Sequence, residues 1–194
     1  MIRRLAFALI VLALTSCAHR KQSTPKPTPV SADPITRSFR GFSYYGAWLL
    51  AAFDSIPASK YDFRPTPMQQ SVGYIAQHLE AANYTLCNRF SGLRLPAQSG
   101  GALPDSVKAR WPKDTLVAHL RASLEFCGAG LDAVHDSMLA DETSVGPLGS
   151  GRVTTRSRDI VLFLTDLAEH YSQIAGYMRL VGMVPPSAIP RASR

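Results

Sequence analysis

Three ionisable side chains in this sequence sit on or beside the apolar face of a helical pattern, where charge is expensive. Asp166 and His170 stand four residues apart, flanked by Leu167, Tyr171 and Ile174. His78 falls between Ile75 and Ala82, at the edge of another apolar stripe. Residues at i and i+4 lie side by side on a helix, with β-carbons about 6 Å apart, so the heads of Asp166 and His170 can converge on one ion. An ionised carboxylate taken into an apolar interior costs several kcal/mol unless something neutralises it. A divalent cation held by His78, Asp166 and His170 would do so, and three protein ligands leave at least one coordination position open, as at catalytic metal sites. Spacing alone leaves a second reading standing. In it, Asp166 hydrogen-bonds His170 as a buried pair and His78 is a satisfied core histidine.

Four helical patterns must position these residues. The first runs from about Ile35 to Phe53, with Phe39, Phe42, Tyr45, Trp48 and Leu49 at three- and four-residue spacings. The second lies between about Met68 and Phe90 and carries Val72, Ile75, Leu79, Ala82 and Leu86 on one stripe, with Gly92 to stop it. Thr66, with Pro67 next and Gln69 three residues on, can cap its start, and Ser71 is a rival cap. The third begins at the capping Asp114 and runs through Leu139, with Leu116, Val117, Leu120, Leu124, Leu131, Val134 and Met138 inward and local weakening at Gly128 and Gly130. The fourth spans about Ser157 to Val181, with Ile160, Leu164, Leu167, Tyr171, Ile174 and Met178 inward, closed by Gly182 and Pro185-Pro186. No strand-like alternation is visible. Four amphipathic helices predict an all-α four-helix bundle.

The connection between the second and third helices is long, at about 23 residues, and can span over 60 Å when extended. That lets helices 2 and 3 lie parallel, where a short loop would force them antiparallel. With helices 2 and 4 antiparallel, His78 and His170 come level within about 6 Å. The remaining histidines fit less well: His135 lies far along the third pattern beside Asp136, His119 is off its stripe, and His19 precedes the helices. In the parallel register Cys87 and Cys127 reach similar depths, so a disulfide and two buried thiols are both open; antiparallel packing would exclude the bridge.

The chain has 194 residues, 46% of them hydrophobic, which suits one domain with a full core rather than a disordered chain. Its formal charge of +7 comes from scattered basic residues with no stripe on one helix face, so a nucleic-acid partner is not expected. Residues 1–16 read as a signal peptide: Arg3 and Arg4 form a positive start, and Leu5 to Leu14 an apolar stretch of about ten residues. Leu14-Thr15-Ser16-Cys17 resembles a bacterial lipoprotein box, in which cleavage precedes a cysteine that is then lipidated. The alternatives are a short membrane anchor or an ordinary secretory signal. Residues 17–34, rich in Pro, Ser, Thr and Lys, read as a tether, residues 35–187 as the bundle and 188–194 as a tail. The expected place is the cell envelope, with the membrane as partner through Cys17. By resemblance to lipoprotein sorting, Ala18 after the cysteine points to the periplasmic face of the outer membrane.

Glu169 to Ser187 (EHYSQIAGYMRLVGMVPPS) resembles the last helix of the DinB-like bundle family, whose pattern runs roughly His-x-x-x-His-x-Gly-Gln, an aliphatic stretch, Tyr-x-Arg-x-x-Gly and Pro-Pro. His170, Gln173, Tyr177, Arg179, Gly182, Pro185 and Pro186 fall on that pattern. Ser71 to Glu80 (SVGYIAQHLE) is similar to the family's second helix, where a histidine after an aliphatic stretch is a metal ligand. The resemblance covers most of residues 35–187 and implies an up-down-down-up bundle, which often dimerises. It also implies a divalent metal such as zinc, nickel or iron on His78, Asp166 and His170. Characterised relatives include thiol-dependent transferases and isomerases, so a small thiol or other small-molecule substrate is implied, with possible hydrolase or thiol-transferase chemistry. Two departures matter: Asp166 stands where many members have a histidine, and Ser172 replaces a glycine. Two histidines and a carboxylate still form a recognised ligand set, although Asp166 has the shorter reach and can instead orient His170 from behind. No further residue set names a substrate. The reading from another class is a non-enzymatic binding or dimerising module that keeps a degenerate metal site.

Overall fold

Ser43 divides the first expected helix in two. In the computed structural model, which describes residues 33–97, 103–145 and 152–190, α1 covers Pro34–Phe42 and α2 covers Tyr44–Ser55. The Ser43 hydroxyl and N–H both turn back to the Arg40 carbonyl, at 2.7 and 3.2 Å. That local bond competes with the helical one and lets the chain bend. The expected signal peptide, lipidated Cys17 and tether lie outside the described residues, except for the tether's last two residues, Asp33 and Pro34, as does the end of the tail.

The start of α1 is closed from afar. The Asp136 carboxylate accepts the N–H groups of Ile35 and Thr36 at 3.0 and 2.8 Å. Asp33 reciprocates, its carboxylate accepting the Asp136 N–H at 2.8 Å. Two helix-start donors that lack intrahelical partners are thereby satisfied.

The helix carrying His78, α3, spans Val72–Ser91, so Ser71 rather than Thr66 is the cap: its hydroxyl accepts the Tyr74 N–H at 3.2 Å. Thr66 and Gln69 instead close a turn. The segment before α3 is closed into a loop, because Val72 and Gly73 donate to the carbonyls of Phe63 and Tyr61. Gly92 ends the helix at φ +73°, a left-handed conformation that costs glycine nothing. A short α4 (Asp105–Lys108) interrupts the long connection.

Helix α5 spans Lys113–Asp132 and stops seven residues short of the expected Leu139. Arg40 donates to the Leu131 carbonyl at 2.8 Å, taking up one of the bonds the helix end leaves free. The chain continues as a 3₁₀ turn at Asp136–Met138 and two short strands, β1 (Glu142–Ser144) and β2 (Val153–Thr155), paired antiparallel with Thr143 opposite Thr154. Three residues are too few for alternation to show, so the sequence carried no signal for this hairpin. Helix α6 spans Arg156–Leu180, capped by Thr155, whose hydroxyl accepts the Arg158 N–H at 3.3 Å.

Contacts along α3 fix its neighbours. Toward α5, Asn83 donates to Ser123 at 2.9 Å, Cys87 and Cys127 are joined by a disulfide, and Gly130 lies against Phe90. Partners advance together, so α3 and α5 run parallel, as the long connection allows. Toward α6, the pairs His78–His170 and Phe90–Phe163 advance in opposite directions, so these two helices are antiparallel. Leu49, Phe53, Ile75, Leu79, Leu120, Leu167 and Ile174 are fully buried among α2, α3, α5 and α6. Burial of such side chains is worth about 1.5–3 kcal/mol each, so this helical core supplies most of the stability. The buried Asp159 carboxylate accepts from Arg89 at 2.7 Å and Thr143 at 2.8 Å, which ties α6 to α3 and to the hairpin.

Candidate metal centre

The antiparallel pairing of α3 and α6 brings His78, Asp166 and His170 together. One ligand atom from each lies within 4.8 Å of the other two, and among the described residues this is the one such group of three or more. Oδ1 of Asp166 faces both imidazoles, 3.4 Å from Nε2 of His170 and 3.7 Å from Nε2 of His78. The rings stand 4.9 Å apart, inclined at 66°. Atoms bound at about 2.1 Å to one tetrahedral ion lie about 3.4 Å from one another. The two spacings from Asp166 Oδ1, 3.4 and 3.7 Å, are already close to that, and the whole set lies within 4.8 Å.

The site sits on the seam between α3 and α6, not at the centre of the bundle. His78 is 36% exposed, Asp166 23% and His170 10%. His170 is buried, as expected of a ligand turned into the core, whereas His78 lies at the rim of its stripe and the apolar neighbours Ile75 and Leu79 take the interior. Partial exposure lowers the cost of charge and leaves a solvent-side approach.

Burial alone would raise the carboxyl of Asp166, but hydrogen bonds and charge from His170 and His78 overcome it and hold the group at about 2, below its ordinary 3.8. Burial likewise works against charge on His170, and Asp166 beside it, with smaller help from Gln173 and Glu169, raises it nonetheless. The three groups thus hold a carboxylate against positive charge, whether that charge is a proton or a metal ion. Asp166 Oδ2 is buried and has no hydrogen-bond partner. A buried carboxylate oxygen left unpaired is costly, and a cation drawing on the same carboxylate reduces that cost. The donor set of two imidazoles and a carboxylate suits zinc, nickel or iron.

Behind His170 stands a group for which the spacing gave no role. His170 Nδ1 is 3.0 Å from Gln173 Oε1, Gln173 Nε2 donates to the Tyr177 hydroxyl at 2.9 Å, and that hydroxyl donates to the Gln70 carbonyl at 3.1 Å. Spacings of three and four residues on one helix would have put these side chains on one row; the link to Gln70 is tertiary and had no sequence signal. The other histidines are engaged elsewhere. His119 pairs through Nδ1 with the buried Glu80 at 2.8 Å, and the exposed His135 pairs with Asp33 at 2.9 Å rather than standing in a helix.

The sequence profile of the DinB superfamily matches residues 47–174, a span that contains all three candidate ligands. No curated protein matches the chain. Among solved structures, a DinB-like protein from Bacillus cereus is similar over 77% of this chain and 95% of its own, with a TM-score of 0.60 and 16% identity. A conserved protein from Enterococcus faecalis is similar over 75% of this chain and 95% of its own, with a TM-score of 0.54 and 17% identity. A mutant of the mycothiol-dependent maleylpyruvate isomerase is similar over 70% of this chain, with a TM-score of 0.55 and 10% identity; the alignment spans 58% of the isomerase. At these identities the likeness is one of fold.

Proposed function

The chain belongs to the DinB superfamily, and from that premise we propose that His78, Asp166 and His170 hold one divalent cation at a reactive centre. The observation that carries this reading is the convergence of the three donors within 4.8 Å on two antiparallel helices. A cation there would supply Lewis-acid chemistry, lowering the pKa of a bound thiol or water. The protein's own part is to fix the donors on rigid helices, to set Asp166 as a carboxylate between two imidazoles, and to leave one side open to solvent. The reaction class that fits is hydrolysis or thiol-dependent transfer on a small molecule. The mycothiol-dependent isomerase with the same fold makes a small thiol the first co-substrate to try.

A second reading, a non-catalytic binding module with a degenerate site, is favoured by one observation. Asp166 already engages both imidazoles, so protonated histidines could satisfy it without metal. The two readings separate on the metal content of the wild-type protein, which the second expects to be below stoichiometric, and His78→Ala and His170→Ala then test the ligands. The first reading expects each change to strip the protein of metal while the thermal midpoint barely moves, because the apolar core carries the stability. Variants that keep full metal content would refute the ligand assignment.

The envelope part of the proposal rests on residues 1–17. A cleaved signal followed by lipid on Cys17 would hold the bundle at the periplasmic face of the outer membrane. Cys17→Ser should release the protein from the membrane fraction. Retention there would reject the lipid anchor.

A further inference from the structure

We propose that Gln173 is a positioning residue that determines which nitrogen of His170 faces the cation; this rests on the reading of His170 as a ligand. The argument is one of hydrogen-bond direction. Tyr177 carries a single hydroxyl proton, and the Gln70 backbone carbonyl, 3.1 Å away, can only accept. The proton is therefore committed to Gln70. The Tyr177 oxygen can then only accept from Gln173, 2.9 Å away, which requires the amide nitrogen on that side. The amide oxygen must consequently face His170 Nδ1 at 3.0 Å, and an oxygen acceptor there requires Nδ1 to carry a hydrogen. In neutral His170 the lone pair is left on Nε2, the nitrogen directed at Asp166 and His78. Each step up to the Nδ1 hydrogen follows from the donor inventory of the preceding group and holds for neutral and protonated His170 alike.

Packing holds the start of this relay. Tyr177 is 3% exposed, and its ring meets Phe63 edge-on at 5.9 Å. The Phe63 backbone carbonyl also accepts the Val72 N–H, so one residue touches both the entry to α3, through its backbone, and Tyr177 on α6, through its ring. The relay thus joins the helix of His170 to the entry of the helix that carries His78. An imidazole whose tautomer is fixed in advance binds metal without paying to select it, and loss of such a partner typically costs 10–100-fold in metal affinity.

The test reads the tautomer directly. In the purified, metal-free protein at a pH where imidazoles are neutral, proton–nitrogen correlation spectra should show His170 protonated at Nδ1. Gln173→Leu should abolish that preference and weaken Zn²⁺ binding by about 10–100-fold. Gln173→Glu, which keeps an acceptor facing Nδ1, should retain both the tautomer and most of the affinity. Tyr177→Phe frees the amide to turn and should give a mixture of tautomers. A Gln173→Leu protein that keeps the Nδ1–H form and binds Zn²⁺ within twofold of the parent would overturn the proposal. A parent protein that shows the relay's tautomer, loses it in Gln173→Leu, yet binds no Zn²⁺ would uphold the relay and reject the metal reading.

Discussion

Removing the Cys87–Cys127 cross-link should destabilise the bundle by about 4 kcal/mol. The two cysteines are 40 residues apart in sequence, so the bridge closes a loop containing the entire connection between α3 and α5. For a loop of that length, the entropy withheld from the unfolded chain amounts to about 4 kcal/mol at 25 °C. Both residues are buried, at 0 and 1% exposure, so substitution would mix the loss of the link with a packing defect. Reduction avoids this because both sulfur atoms remain in place. The assay is urea unfolding followed by circular dichroism, with and without a strong thiol-free reductant, equilibrated from the unfolded side so that reduction is complete. With a urea slope of about 2 kcal/mol per molar, the midpoint should fall by about 2 M. Midpoints that agree within about 0.3 M would show that α3 and α5 are held in their parallel pairing by the core and that the link contributes little.

Asp159→Ala should cost about 3–5 kcal/mol, since it leaves the Arg89 guanidinium without its carboxylate inside the protein; the same urea titration measures it, and a loss below about 1 kcal/mol would contradict the assignment. The closure of α1 should loosen in acid. His135, then the Asp136 N–H, hold Asp33 below its ordinary 3.8, while Asp136 is lowered by the N–H groups of Ile35 and Thr36 against the opposing effect of burial. Depressed carboxyls stabilise above their unfolded pKa and lose that contribution as pH falls through the folded values. Protection of the Ile35 and Thr36 amides, taken relative to their intrinsic exchange rates, should therefore fall below pH 3.8 while the α6 core stays protected. An equal loss of protection in both places would mean global unfolding rather than release of α1.

The helical character of the chain was legible because long apolar stripes such as Ile75–Leu79 and Leu167–Tyr171–Ile174 repeat with helical spacing over many turns. The convergence of Asp166 and His170 followed from a four-residue step, and the level of His78 from counting turns on an antiparallel neighbour. Features set by competition between local bonds were not legible. The break at Ser43, the choice of Ser71 over Thr66 and the early end of α5 each turn on which backbone group a single side chain or turn captures. The placement of the site on a seam also escaped the pattern, because a residue at the edge of a stripe points inward or outward according to how neighbouring helices are rotated. Gln173 and Tyr177 stood in plain view at helical spacings, but their meaning depends on Gln70, a partner 107 residues from Tyr177.

Metal stoichiometry in the purified wild-type protein bears most directly on the central assignment. Elemental mass spectrometry after exhaustive dialysis without chelator should find about one equivalent of a transition metal per chain, reduced to trace by His170→Ala. A correctly folded wild-type protein that carries only trace metal, and takes up none when Zn²⁺, Ni²⁺ or Fe²⁺ is supplied, would contradict it.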